Sequence, residues 1–242
     1  MIEAGFWGFV GGFALLIGAA LGLWLPISTR VIGMIMAFGS GVLVSALAFD
    51  LTDEAFRRGG TASVALGLAG GAVAFFVGDV IVSRRGGGDR KRSGGQQEEG
   101  SGSAIVVGAL LDGVPESVAI GVTLLDGGGV GVAVVAAVFL SNVPESLSAA
   151  TGLRKAGRST GWIMTLWLGV AALTAVSAAA GYGLLGDASP TLIGVIQAFA
   201  AGAILAMLAS TMLPEAFEDT GPEVGLITVA GFALAFLLST TG

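Results

Sequence analysis

The stretch SAIVVGALLDGVPESVAIGVTLLDGGGVGVAVVAAVFLSNVPESLSAATG, residues 103–152, holds two apolar runs around a glycine turn, and each run carries Pro-Glu near its middle. A hydrocarbon core of about 30 Å needs roughly 20 apolar residues per helix. Residues 103–125 and 130–152 therefore read as two membrane spans. The same window, moved outward, gives six more at about 5–26, 31–52, 61–83, 160–184, 190–213 and 223–240. Only 12% of the residues are charged, about half the share in a soluble domain. The spans leave little room for anything outside the bilayer. The expected fold is a single all-α integral membrane domain over residues 1–242, with eight transmembrane helices.

The N-terminus does not read as a cleavable signal peptide: it lacks a basic leader, carries Glu3, and its apolar run is too long. The chain has neither cysteine nor histidine, which excludes disulfides, thiolate metal sites and a His-Glu-x-x-His protease. A net charge of −6 argues against a nucleic-acid partner.

Basic residues set the expected orientation. With both termini outside, the inner loops hold Arg30, then Arg84, Arg85, Arg90, Lys91 and Arg92, then Arg154, Lys155 and Arg158; only Arg57 and Arg58 fall outside. This predicts a multi-pass protein of the cell membrane with N- and C-termini outside the cytoplasm. The longest connection, RRGGGDRKRSGGQQEEGSG (84–102), has the glycine and charge content of a flexible, solvated cytoplasmic linker.

Two pairs of segments resemble each other. AFGSGVLVSALAFDLTDEAF (37–56) aligns without gaps to AFAAGAILAMLASTMLPEAF (198–217), and DGVPES (112–117) resembles SNVPES (141–146). In the expected topology the members of each pair run in opposite directions. The chain thus reads as an inverted repeat, spans 1–3 against 6–8 around spans 4 and 5, as is common in transporters.

Asp112, Glu116 and Glu145 fall near the centres of spans 4 and 5, where an ionised acid costs at least ~2.5–3.5 kcal/mol. The middles of the spans hold no Lys or Arg, so these acids are expected to be protonated, hydrated or paired with a cation. Asp112 and Glu116 share a helix face, as do Ser141 and Glu145. A turn centred between Gly128 and Gly129 puts Glu116 opposite Ser141 and Asp112 opposite Glu145. Pro115 and Pro144 each free a carbonyl, those of Leu111 and Leu140. With Asn142, the expected set is a hard, oxygen-only metal site on Asp112, Glu116, Ser141, Asn142 and Glu145. Such donors suit Mg, Ca or Mn and also bind zinc and iron(II).

These features resemble the ZIP (Zrt/Irt-like) family of divalent-metal transporters over essentially the whole chain. That family's fourth helix typically reads His-Asn-x-Pro-Glu-Gly and its fifth His-x-x-Pro-Glu-Gly. The resemblance implies that Glu116 and Glu145 are metal ligands, with Asp112 and Ser141 standing where the family has histidine. It implies transport of a divalent ion such as Zn, Mn or Fe(II) as substrate, no resident cofactor, and inward movement. Here Gly113 replaces the Asn ligand, and the span at 160–184 has no acid for a second metal.

At the span ends, Asp50, Asp53 and Glu54 on one side and Glu215, Glu218 and Asp219 on the other are expected to form two acidic mouths that concentrate cations. Asp79 and Gln197 read as packing or interfacial residues, and Met34, Met36, Met164, Met207 and Met212 as apolar filler. The closely spaced glycines Gly11, Gly12, Gly18 and Gly22, and Gly67, Gly70 and Gly71, predict tight helix contacts.

Three other functions compete. A calcium/cation exchanger also carries Pro-Glu in broken helices, but its motifs belong to separate halves of the chain. An intramembrane aspartyl protease needs Gly-x-Gly-Asp, and before Asp79 only Gly78 is present, with Phe76 at the first position. A protein of the same fold that binds metal or regulates without transport stays open. The favoured reading is a transporter and not an enzyme, with the divalent ion and the lipid bilayer as partners; a homodimer is left open.

Overall fold

The computed structural model describes residues 1–97, 102–126 and 129–241. Every regular element among them is helical: α1 Ile2–Trp24, α2 Thr29–Ala46, α3 Asp53–Val82, α4 Gly102–Thr123, α5 Val132–Lys155, α6 Thr160–Leu185, α7 Pro190–Met207, α8 Leu213–Thr220 and α9 Val224–Thr241. π-helical stretches Leu47–Thr52 and Leu208–Met212 join α2 to α3 and α7 to α8, and a third, Ser83–Gly87, follows α3. Among the described residues six continuous stretches are long and apolar enough to cross a membrane, and Val224–Ser239 is a shorter apolar helix. This is an all-α, multi-pass membrane protein.

One of the six, Thr29–Gly87, is far too long for a single crossing. It turns at Gly60, whose φ of 70° and ψ of −173° lie where only glycine sits without strain. The expected spans 31–52 and 61–83 fall on either side of this break. The helix before it outruns its apolar window, as does the one through α7 and α8, because charged residues 53–58 and 215–219 continue the helix beyond the reach of a hydropathy window. Serine fixes three helix starts: Ser28, Ser159 and Ser189 accept from the backbone N–H groups of Val31, Trp162 and Leu192, satisfying donors that have no partner within the helix.

The repeated segments fold alike in detail. Under the offset that aligns 37–56 with 198–217, Ser28 and Ser189 are both N-caps, and Leu47 and Leu208 both open a π-helical stretch. Their packing also matches. A side chain at Gly41 would meet the Thr228 carbonyl at 1.9 Å, and one at Gly202 the Leu68 carbonyl at 2.2 Å. Facing them, Gly231 lies against the Phe38 carbonyl and Gly71 against that of Phe199. So α2 crosses α9 as α7 crosses α3, each through a pair of facing glycines. The other contacts follow the same exchange: α1 packs on α5 and α6 on α4, while α2 packs on α5 and α7 on α4.

The expected tight contacts hold for Gly12, Gly18, Gly22, Gly67 and Gly71, whereas Gly70 has ordinary spacing. Gly202→Leu is expected to lower the melting temperature in detergent through an overpacking cost of at least about 1–3 kcal/mol. The control Gly161→Ala, which meets nothing within 4 Å, should not lower it. Equal melting temperatures for the two variants would contradict the backbone contact at Gly202.

Candidate functional site

α4 and α5 continue through Pro115 and Pro144. They carry Asp112, Glu116, Ser141, Asn142 and Glu145 into the interior, each 3% exposed or less. Asn142 Nδ2 donates to the Gly11 carbonyl at 3.0 Å and so ties α5 to α1. Ser141 Oγ donates back to the Val138 carbonyl.

Of the three expected states, Asp112 and Glu145 take pairing with a cation, and the cations are basic side chains. Their partners come from the connection after α3 and not from the spans. Arg90 grips Asp112 in a two-pronged pair, Nε to Oδ2 at 2.9 Å and Nη2 to Oδ1 at 3.0 Å, and its Nη1 reaches Asp79 Oδ1 at 2.8 Å. The Lys91 ammonium stands between two acids, 3.3 Å from Asp112 Oδ2 and 3.1 Å from Glu145 Oε2. These are ion-pair distances without hydrogen-bond alignment, and Lys91 Nζ has no aligned acceptor. Burial works against the charge on Arg90, but Asp112 and Asp79 outweigh it and hold the guanidinium protonated beyond its ordinary range.

Within the connection 84–102, expected to be solvated, Arg84, Arg85, Gly88, Gly94 and Gln96 are exposed, whereas Arg90, Lys91, Ser93 and Gln97 are buried. Residues 98–101 of that stretch lie outside the described residues. Lone charges in a bilayer are costly and pair where they can, and three interior acids draw in the nearest mobile cations. Asp79, expected to serve packing, is part of this network.

Glu116 stands apart. Its Oε1 is buried with no hydrogen-bond partner, and neither Arg90 nor Lys91 forms an ion pair with it. Among the described residues, no three acids converge closely enough in this arrangement to hold a metal ion. The compact oxygen cluster expected from the spacing is instead opened around two cationic side chains.

The two expected mouths differ. Asp50, Asp53 and Glu54 line a cavity of about 380 Å³ together with Arg57 and Gln197, beside the turn between α4 and α5. Asp53 and Glu54 pair with Arg57 and Arg58 one helical turn on. Glu215 and Glu218 do not form an open mouth. Glu215 is buried and accepts from the backbone N–H of Ser93 at 2.9 Å, Glu218 pairs with Arg92, and Asp219 accepts from Ser93 Oγ at 2.7 Å. They hold the connection in place because its Ser93 and Arg92 donors face their carboxylates. Met36, Met207 and Met212 are buried among apolar side chains, as expected of filler.

Sequence reasoning missed Arg90 and Lys91 as site residues. One signal was present: the interior acid Asp112 follows closely on the basic run Arg90-Lys91-Arg92. The chain matches no protein-family model, and comparison with curated proteins found no match.

Proposed function

We propose that this protein is a divalent-cation transporter of eight spans, of the zinc, iron and manganese class, working through the carboxylates of α4 and α5. The observation that carries the reading is the buried acid set on two proline-containing membrane helices, of which Asp112 and Glu145 are paired, among the described residues, with cations that belong to neither helix. A site that must attract cations from elsewhere is chemically suited to accept a metal ion. Its donors are all oxygens, which favours hard ions such as Mn. The duplicated packing supports alternating access, because exchanging the conformations of two repeats exchanges the side that is open. In the orientation that the positive-inside pattern favours, the Arg90 end faces the cytoplasm and the cavity at Asp50 and Glu54 faces outward.

Binding tests the site directly. Purified protein in detergent is expected to bind Mn(II), followed by its paramagnetic resonance signal, and Glu116→Gln should lose that binding while keeping its melting temperature. Full binding by Glu116→Gln would remove Glu116 from the site.

A second reading, a metal-binding or regulatory protein of the same fold without transport, is favoured by one observation: Arg90 and Lys91 already neutralise Asp112 and Glu145. Bound metal with no flux would support it.

A further inference from the structure

The connection that supplies Arg90 and Lys91 has a place made for it, independent of its charge. At Gly152 on α5, the three atoms nearest to an added side chain all belong to the connection: the Arg92 carbonyl at 1.9 Å and the Gln97 amide atoms at 2.6 and 2.9 Å. At Gly108 on α4 an added side chain would strike Arg90 Cδ at 2.3 Å. Missing side chains on both site helices thus make room for the segment. Its backbone is held as well. Ser148 Oγ donates to the Lys91 carbonyl, Lys155 Nζ donates to that of Ser93 at 2.9 Å, and Glu215 accepts from Ser93 N–H. The anchors come from α5 and α8 as well as from the acids. Yet the segment belongs to no span, and Gly86, Gly87 and Gly88 precede it while Gly94 and Gly95 follow it. Gly86 and Gly95 take positive φ, and such glycine runs let a short segment swing as a unit.

We propose that residues 89–93 are a tethered cationic plug, in which Lys91 and Arg90 occupy the cation positions of the α4/α5 site and a divalent ion enters only as this segment leaves. This rests on the cation-site reading above. The plug competes with the ion for Asp112 and Glu145, so apparent affinity is the intrinsic affinity reduced by the fraction of molecules in which the site is open. If that fraction is roughly a tenth or less, unseating the plug tightens apparent Mn(II) binding about tenfold or more.

The experiment uses the full chain in detergent and three variants. Lys91→Gln removes the ammonium. Gly152→Ala leaves every charge in place and crowds the connection at Arg92 and Gln97. Ser93→Cys introduces a single thiol into a chain without cysteine, at a residue that is buried while the plug is seated. The expected result is Mn(II) binding at least about tenfold tighter in Lys91→Gln and in Gly152→Ala than in the parent, with maleimide modification of Ser93→Cys accelerated by Mn(II). Tightening in Lys91→Gln alone would reduce the effect to removal of a charge and overturn the plug. Parent-like affinity in both variants, with a labelling rate indifferent to Mn(II), would overturn the plug and leave the cation site standing. No Mn(II) binding by the parent or either variant would overturn the cation site, and the plug with it.

Discussion

Asp112→Ala is expected to destabilise the protein by about 3–5 kcal/mol, the usual cost of leaving one member of a buried ion pair alone. Arg90 is 3% exposed and donates twice to Asp112; without that carboxylate Asp79 is its one ionic partner among the described residues. A marked fall in melting temperature in detergent is the expected reading. The double variant Arg90→Met with Asp112→Leu should recover most of it, because replacing both members of a buried pair with apolar groups is often neutral or stabilising. An unchanged melting temperature for Asp112→Ala would mean that Arg90 finds water as readily as the acid, and that the connection is only loosely seated.

The second large effect concerns flux. Glu145→Gln removes one of the two carboxylates that flank the Lys91 ammonium, and Glu116→Gln removes a buried acid whose Oε1 has no hydrogen-bond partner among the described residues. Each is expected to reduce metal flux by at least the roughly 100-fold seen at the upper end for outer-sphere partners of a metal, since these would be direct ligands. Neither should unfold the protein. Glu116 has no partner to strand, and Lys91 keeps Asp112 when Glu145 is neutralised. Flux close to that of the parent in either variant would refute the ligand assignment.

The apolar helices were legible in the sequence because a bilayer imposes a length and an apolar content on each crossing, and the likeness of 37–56 to 198–217 was legible because matched packing needs matched residues. Phe38 and Phe199, Gly41 and Gly202, and Leu47 and Leu208 stand at corresponding places in both the alignment and the fold. The burial of Asp112, Glu116 and Glu145 followed from their position in the spans. The basic segment was not legible from composition, because its glycines and charges are those of a solvated loop, and composition does not distinguish a cation facing water from one facing a buried acid. Gly108 and Gly152 gave no warning either. On a membrane helix a glycine signals a close neighbour without saying whether that neighbour is a helix or a connection. The helical extensions through Glu54 and Glu215 were hidden for a related reason: hydropathy finds where a helix is apolar and is silent on where it ends.

The most direct measurement of the central claim is metal flux into proteoliposomes, run with Zn, Mn, Fe(II), Co, Cd, Mg and Ca, with Glu116→Ala as the control. The account predicts flux of at least one of these ions, Mn among the leading candidates for an oxygen-only site, and its loss in the control. No flux of any ion through folded, oriented protein would contradict a transporter and leave metal binding or regulation as the reading of the α4/α5 acids.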